Sequence, residues 1–175
     1  MQKIKNEDLG RKSTDEFKQS VKLPVVLVLD NVRSLNNVGS AFRTADAFLL
    51  ERIILCGITG QPPNKEIQKT ALGATETVSW SYFKTTLEAI KDLKQKGYKV
   101  YSVEQVKGSI SLQNLSYSNN ESIALVFGNE IYGVEQDVIN ACDGCIEIPQ
   151  LGTKHSLNIS VSIGIVLWEV AKRYL

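Results

Sequence analysis

The sequence predicts an α/β domain in which a mostly parallel β-sheet is flanked by helices. Apolar, β-branched runs such as "VVLVLD" and "RIILCGI" show no polar alternation, which is typical of strands covered on both faces. Between such runs lie segments such as "TTLEAIKDLKQKG", with apolar residues at helical spacing and a glycine at the end. Because strands alternate with helices along the chain, parallel pairing is favoured.

The individual elements follow from local patterns. Residues 1–22 are polar and are predicted to form an arm, with six Lys or Arg against four Asp or Glu, ahead of a single domain at residues 23–175. Within this arm, Ser13 followed by Glu16 resembles a capping box that opens a short helix. Strands are predicted at residues 25–30, 52–58, 78–83, 98–104, 121–130 (breaking at 128) and 144–149. Helices are predicted at residues 41–50, 67–78 (helix, then turn), 85–97 and 133–142 and in the C-terminal segment.

The composition narrows the class of protein. A chain of 175 residues, 43% hydrophobic and 22% charged, is long enough for one domain with its own core. The net charge of +1 and the pI of about 7.6 differ from those of a generic nucleic-acid binder. Any site for a polyanion must therefore be local, or must be doubled by oligomerisation.

The cysteines and the N-terminus indicate a cytoplasmic protein. An odd number of cysteines, three, argues against a disulfide framework. Cys142 and Cys145 form a C-x-x-C, but only Cys56 and His155 are available to complete a zinc site, so we expect packing cysteines and no metal. The N-terminus lacks an apolar signal segment, and no window is apolar enough to span a bilayer, so no membrane association is expected.

Three loops at predicted strand ends carry the candidate chemistry, because ligands of open parallel sheets bind beyond the carboxyl ends of the strands. In the first, Asn37 and Gly39 precede Arg43, whose guanidinium suits a phosphate or a carboxylate. The alternative is an Asn cap with a surface Arg that pairs with Asp46. No G-x-G-x-x-G, Walker A or G-x-S-x-G motif is present.

The second and third loops follow later strands. Glu130, after Gly128, can accept from a hydroxyl, pair with Arg43 or cap the next helix. In the third loop, His155 is either a base or an exposed loop residue. Ser156 is predicted to cap the last helix and Asn158 to lie in its first turn.

These loops together resemble the three motifs of the SpoU (TrmH-like) RNA methyltransferases of the SPOUT superfamily. The matching segments are "NNVGSAFRTADAF", "VFGNEIYGV" and "IEIPQLGTKHSLNISVSIGIVLWE", in the family's order and spacing. The resemblance implies a C-terminal trefoil knot, S-adenosylmethionine bound in the knotted loops, and a homodimer. It also implies methyl transfer to the 2′-hydroxyl of a ribose in tRNA or rRNA.

The resemblance also assigns residues. Arg43 matches an arginine proposed in the family to activate the hydroxyl or hold the adjacent phosphate. A guanidinium stays protonated in proteins, so it is a poor base. The other catalytic matches are Asn37, Glu130, Ser156 and Asn158. The matches to cofactor-binding positions are Gly128, Ile148, Leu157, Val103 and Glu104.

The segment "HSLNISVSIGIVLWE" alternates like a strand but is predicted to be a helix. Its serines and glycine are small, and Lys172 and Arg173 suit a helix C-terminus. A helix apolar on nearly all sides is buried, in this chain at the core and at the dimer contact. Two alternatives to the enzyme stay open: a non-catalytic RNA-binding member of the family, and an unrelated nucleotide-binding domain.

Overall fold

The computed structural model describes residues 1–118 and 121–174, and its centre is a seven-stranded sheet in which every strand pair is parallel. The strand order is β3-β2-β1-β6-β4-β7-β5. The prediction of an α/β fold with a mostly parallel sheet is confirmed. The strands are β1 (Leu23–Asp30), β2 (Leu50–Cys56), β3 (Trp80–Phe83), β4 (Lys99–Val103), β5 (Ile110–Ser111), β6 (Ile123–Phe127) and β7 (Gly144–Glu147).

Helices cover both faces of the sheet. Along β1, alternate side chains enter two separate apolar clusters: Leu27 packs with the helices of one face and Val28 with those of the other. This explains why the central strands are uninterrupted apolar runs. The helices are α1 (Thr14–Gln19), α2 (Leu35–Ala47), α3 (Lys65–Ala71), α4 (Ala74–Thr77), α5 (Thr86–Gln95), α6 (Gln136–Ala141) and α7 (Ile159–Ala171). Residues of α2, α3, α4 and α7 contribute to the first cluster, and residues of α5 and α6 to the second.

Helix α2 begins earlier than the sequence predicted. The helix was predicted to begin at residue 41, but α2 starts at Leu35, because the Ser34 side chain accepts a hydrogen bond from the Asn37 N–H. Asn37 and Gly39 are therefore helical residues. Gly39 is buried against α3, where an added Cβ would lie 2.1 Å from the Thr70 Oγ1. The close contact at this glycine is therefore with a neighbouring helix.

The last helix is confirmed as a helix, but its cap was predicted wrongly. The N-cap is Asn158, whose Oδ1 accepts from the Ser160 N–H at 2.9 Å, so Ser156 lies in the preceding loop. At the other end Glu169 pairs with Lys172 at 2.7 Å. One side of α7 is not buried: Val161, Ile165 and Trp168 stay exposed, Trp168 by 54%.

Part of the N-terminal segment packs on the domain. The Ser13–Glu16 capping box predicted for α1 is confirmed, with both reciprocal hydrogen bonds present. Phe17 is only 4% exposed and belongs to the same apolar cluster as α2 and α7. The division of the chain at residue 22 stays a prediction. Strand β5 and two short 3₁₀ helices, Asn6–Leu9 and Leu112–Asn114, were not predicted.

The helices also show whether the chain could cross a membrane as a helix. Among the helices of residues 1–118 and 121–174, none is both long enough and apolar enough to cross a membrane. The C-terminal trefoil knot implied by the family resemblance stays a prediction.

Substituting Gly39 tests the packing of α2 on α3. We expect Gly39→Ala to lower the free energy of unfolding by about 1–3 kcal/mol, because the new methyl group overlaps Thr70 and the α3 backbone. Gly152→Ala is the matched control: an added Cβ there meets nothing within 4 Å, so a small gain of about 0.4–1 kcal/mol is expected. Urea denaturation measures both variants, and equal stabilities would contradict the close packing.

Candidate functional site

A cavity of about 630 Å³ opens beyond the carboxyl ends of β6, β4 and β7, three neighbouring strands of the sheet. This volume is in the usual range of small-molecule sites. Val103, Phe127 and Ile148 form an apolar floor where the strands end, while polar loop residues and the start of α7 form the walls.

Most of the residues predicted for the site line this cavity. These are Val103, Glu104, Gly128, Glu130, Ile148, Ser156, Leu157 and Asn158. Asn37 and Arg43 are not part of the lining, since both lie on α2. Asn37 is nevertheless joined to the cavity wall by hydrogen bonds. Arg43 is solvent-exposed. Within residues 1–118 and 121–174 no carboxylate forms an ion pair with Arg43.

Glu130 holds the loop after β1. Its carboxylate accepts from the backbone N–H groups of Arg33 and Ser34, both at 2.9 Å, and from the Asn37 Nδ2 at 3.0 Å. Partial burial by itself raises the pKa of the carboxyl group, but the hydrogen bonds outweigh it and lower the pKa below its ordinary value of 4.5. Of the three roles considered for Glu130, neither pairing with Arg43 nor capping of α6 is observed.

A directed chain of hydrogen bonds links all three motifs. The Asn158 Oδ1 accepts from the Ser160 Oγ at 2.6 Å and from its N–H, so the Asn158 Nδ2 faces the Asn37 Oδ1, at 3.4 Å. The Asn37 Nδ2 in turn donates to Glu130. Because an ionised carboxylate only accepts, it determines the direction of both amides. The remaining N–H groups of this Asn158–Asn37–Glu130 chain are donors for a ligand.

Glu104 holds the opposite wall. Its carboxylate accepts from the N–H of Val134 at 3.1 Å and from that of Gln105 at 2.8 Å. Its Oε2 leaves no space for a side chain at Gly133, where a Cβ would lie 2.1 Å away. A Cβ at Gly128 would lie 2.2 Å from the Gly133 backbone. Close backbone packing thus requires the glycine at position 128, and a left-handed φ of 67° favours the glycine at position 133.

None of the three cysteines lines this cavity. Burial raises the pKa of Cys56 to about 12 and that of Cys142 to about 11, so neither thiol ionises readily at neutral pH. The Cys145 Sγ lies 3.3 Å from the Glu104 carbonyl oxygen. No group of three or more His, Cys, Asp or Glu that could hold a metal ion occurs in the described part of the chain.

Comparison with known proteins identifies the family. Residues 24–168 match the model of the SpoU rRNA Methylase family. The chain belongs to this family. It is 31% identical over 150 residues to the 23S rRNA (guanosine-2′-O-)-methyltransferase RlmB of Neisseria meningitidis, which covers 86% of this chain. The chain spans 59% of that relative's length.

Solved structures of SpoU-related proteins share the fold. The AdoMet-bound rRNA methyltransferase of Sinorhizobium meliloti superposes with a TM-score of 0.80 and 29% identity, over 94% of this chain and 62% of that one. The TrmH/SpoU tRNA modifying enzyme of A. aeolicus superposes with a TM-score of 0.81 over 91% of this chain and 80% of that one. At 24% identity, this similarity shows a shared fold.

Several contributors to the site were not predicted. The N–H groups of Arg33 and Ser34 act through the backbone, which carries no residue-type signal. Asn129 donates from its Nδ2 to the Asn31 carbonyl at 2.7 Å and so joins the loops after β1 and β6. The contact between Ser160 and Asn158 could have been predicted, because Ser160 follows Asn158 by two residues at the start of a helix.

Glu130→Gln tests the link between the loops. A glutamine can present only one acceptor oxygen, so we expect the Arg33 and Ser34 amides to exchange with solvent about 10-fold faster or more. Because the pKa of Glu130 is lowered on folding, its carboxylate stabilises the wild type above pH 4.5. This stabilisation is lost as the pH falls through the pKa of Glu130 in the folded protein. Hydrogen exchange followed by NMR measures both effects.

The matched control is Glu135→Gln, in the same connection but with no side-chain cap bond to α6. We expect it to leave exchange at Arg33 and Ser34 unchanged. Equal exchange in wild type and Glu130→Gln would show that the carboxylate does not hold the loop.

Proposed function

We propose that this protein is an S-adenosylmethionine-dependent methyltransferase that modifies the 2′-hydroxyl of a ribose in tRNA or rRNA. The observation that carries the proposal is the Asn158–Asn37–Glu130 chain, which joins the three family motifs beside the cavity. Support comes from relatives named as 23S rRNA (guanosine-2′-O-)-methyltransferases. The RNA substrate would place the enzyme in the cytoplasm.

The cavity fits the cofactor in size and in chemistry. Val103 and Ile148 offer an apolar surface for an adenine ring, and the backbone around Gly128 and Leu157 offers hydrogen-bonding groups. Glu104 and Glu130 supply negative charge, which suits a positively charged ligand. When bound, S-adenosylmethionine supplies a methyl group on a sulfonium, which is reactive toward an oxygen nucleophile.

The residues around the cavity can orient a ribose hydroxyl but offer little basicity. The free positions on Asn37 and Asn158 are N–H donors, and Glu130 is already hydrogen-bonded, with a lowered pKa. We infer that the hydroxyl proton leaves to water or to an RNA phosphate, and that catalysis rests on positioning. Holding two reactants in a productive geometry can lower a barrier by about 7–11 kcal/mol.

Arg43 is assigned to the RNA. Its exposed guanidinium, without an ion pair in the described part of the chain, keeps its fork of donors for a phosphate or the ribose hydroxyl. The alternative, a non-catalytic RNA-binding protein, needs no chain of oriented amides beside a cofactor-sized cavity. We therefore favour the enzyme.

We further propose a homodimer through α7. Its exposed side carries Val161, Ile165 and Trp168, and Leu157 just before the helix is also exposed. An apolar stripe of this kind marks an interaction surface. Since α7 begins at the cavity, the dimer would bring a second copy next to the site.

Arg43→Ala tests the proposed reaction. We expect methyl transfer from labelled S-adenosylmethionine to tRNA and rRNA transcripts to fall by about 100- to 1,000-fold, because a donor to the developing charge is lost. The dissociation constant of the cofactor, measured by calorimetry, should change by no more than a few fold. Arg43→Lys keeps the positive charge but not the planar fork of donors. Its methyl-transfer activity should lie between those of the wild type and Arg43→Ala.

Lys91→Ala, on α5 at the opposite face of the sheet, controls for the loss of one positive charge and should retain activity. Near-normal turnover of Arg43→Ala would refute the role of Arg43. A wild type that binds cofactor and RNA but transfers no methyl group would favour the non-catalytic alternative.

Ile165→Glu tests the dimer. A carboxylate placed in an apolar contact is costly to bury, so we expect the dimer dissociation constant to rise by about 30-fold or more. Leu87→Glu introduces the same charge at a similarly exposed position on α5 and should leave the dimer dissociation constant unchanged. Sedimentation equilibrium measures both; a wild type that is monomeric, or an unaffected Ile165→Glu dimer, would contradict the interface.

A further inference from the structure

The turn that follows β6 exposes two large side chains beside the cavity. Ile131 is 65% exposed and Tyr132 is 80% exposed, although both contribute to the cavity lining. The only close ring pair within residues 1–118 and 121–174 is that of Phe48 with Trp168, so no other aromatic ring covers Tyr132. An exposed aromatic ring next to a binding site is available to a ligand.

The base of this turn is held firmly. Asn129 and Gly133 exchange two backbone hydrogen bonds, at 3.0 and 2.9 Å. The Asn129 Oδ1 also accepts from the N–H groups of Ile131 and Tyr132, at 2.9 and 3.2 Å. Gly133 has a positive φ of 67° and packs on Glu104. The Tyr132 ring is thus presented by a well-ordered backbone, which lowers the entropy lost when a partner binds.

The position of Tyr132 favours RNA over the cofactor as its partner. It follows Glu130 by two residues, and Glu130 holds Asn37, which belongs to the chain of amides assigned to the ribose. The apolar floor assigned to the adenine, Val103 and Ile148, is partly buried at the strand ends, whereas Tyr132 projects into solvent. A ring at the outer edge of the cavity meets the nucleotide that enters from solution.

We propose that Tyr132 is a stacking platform for the base of the nucleotide whose ribose is methylated. This inference rests on the proposed function. Proteins that recognise single-stranded or looped RNA commonly stack splayed bases on aromatic side chains. The partner is a nucleobase with an accessible π-face, and stacking on it tolerates different bases. Tyr132 would therefore position the nucleotide without selecting one base strongly.

Substitutions at Tyr132 separate stacking from other roles. With tRNA and rRNA transcripts as methyl acceptors, Tyr132→Ala should raise the KM for RNA about 5- to 100-fold, the effect typical of losing one stacked base. Tyr132→Phe keeps the ring and should restore the KM to within about twofold of the wild type. Tyr82→Ala is the matched control: it removes an exposed tyrosine ring on β3, outside the cavity lining, and should change the KM little.

Two further measurements distinguish the competing roles. Calorimetry of S-adenosylmethionine binding should give the same dissociation constant for Tyr132→Ala and wild type; a marked loss would assign the ring to the cofactor. Sedimentation equilibrium should show an unchanged dimer; dissociation would assign the ring to the subunit contact. Either result, or an unchanged KM, would overturn the proposal.

Failure of the proposed function would be visible separately. If the wild type transfers no methyl group to either RNA, the function fails, and filter binding of the same transcripts then tests the platform. Weaker RNA binding by Tyr132→Ala than by Tyr132→Phe would support stacking without catalysis. Equal RNA binding by these two variants would reject it.

Discussion

The Glu130 carboxylate accepts hydrogen bonds from two backbone N–H groups after β1 and from the Asn37 side chain. An ionised carboxylate has no proton to donate, so every group that touches it must turn a donor toward it. Asn37 therefore presents its oxygen to Asn158, and Asn158 presents its oxygen to Ser160. One acidic residue thereby orients side chains from two other segments that are distant from it in the chain.

This arrangement depends on the sheet as well as on the carboxylate. The loops after β6, β4 and β7 adjoin because these strands are neighbours, and β1 lies on the other side of β6. In a parallel sheet all carboxyl ends point the same way, so loops far apart in sequence meet at one edge. The glycines at positions 128 and 133 then allow the backbone after β6 to pack closely enough to form a cavity wall.

Local patterns predicted much of the fold and much of the site. Unbroken apolar runs indicated the central strands, and the Ser13 capping box and the helical character of the last segment were read correctly. The start of α2 was missed because "NVRSLNNVGS" is rich in residues that also favour loops, and only the Ser34 cap marks the helix start. Ser156 was a plausible cap by residue type, but Asn158 makes the bond.

The sequence by itself determined that the family motifs follow recognisable strands, because both are local patterns of residue types. On that basis it predicts catalytic roles for five residues, Asn37, Arg43, Glu130, Ser156 and Asn158. Their partners were decided only by the tertiary structure. Glu130 takes backbone amides and Asn37 rather than Arg43, because the sheet places the loop after β1 against the loop after β6. Likewise, only the packed fold shows that Tyr132 stands exposed while Val134, two residues further on, is buried, because solvent exposure depends on neighbours remote in sequence.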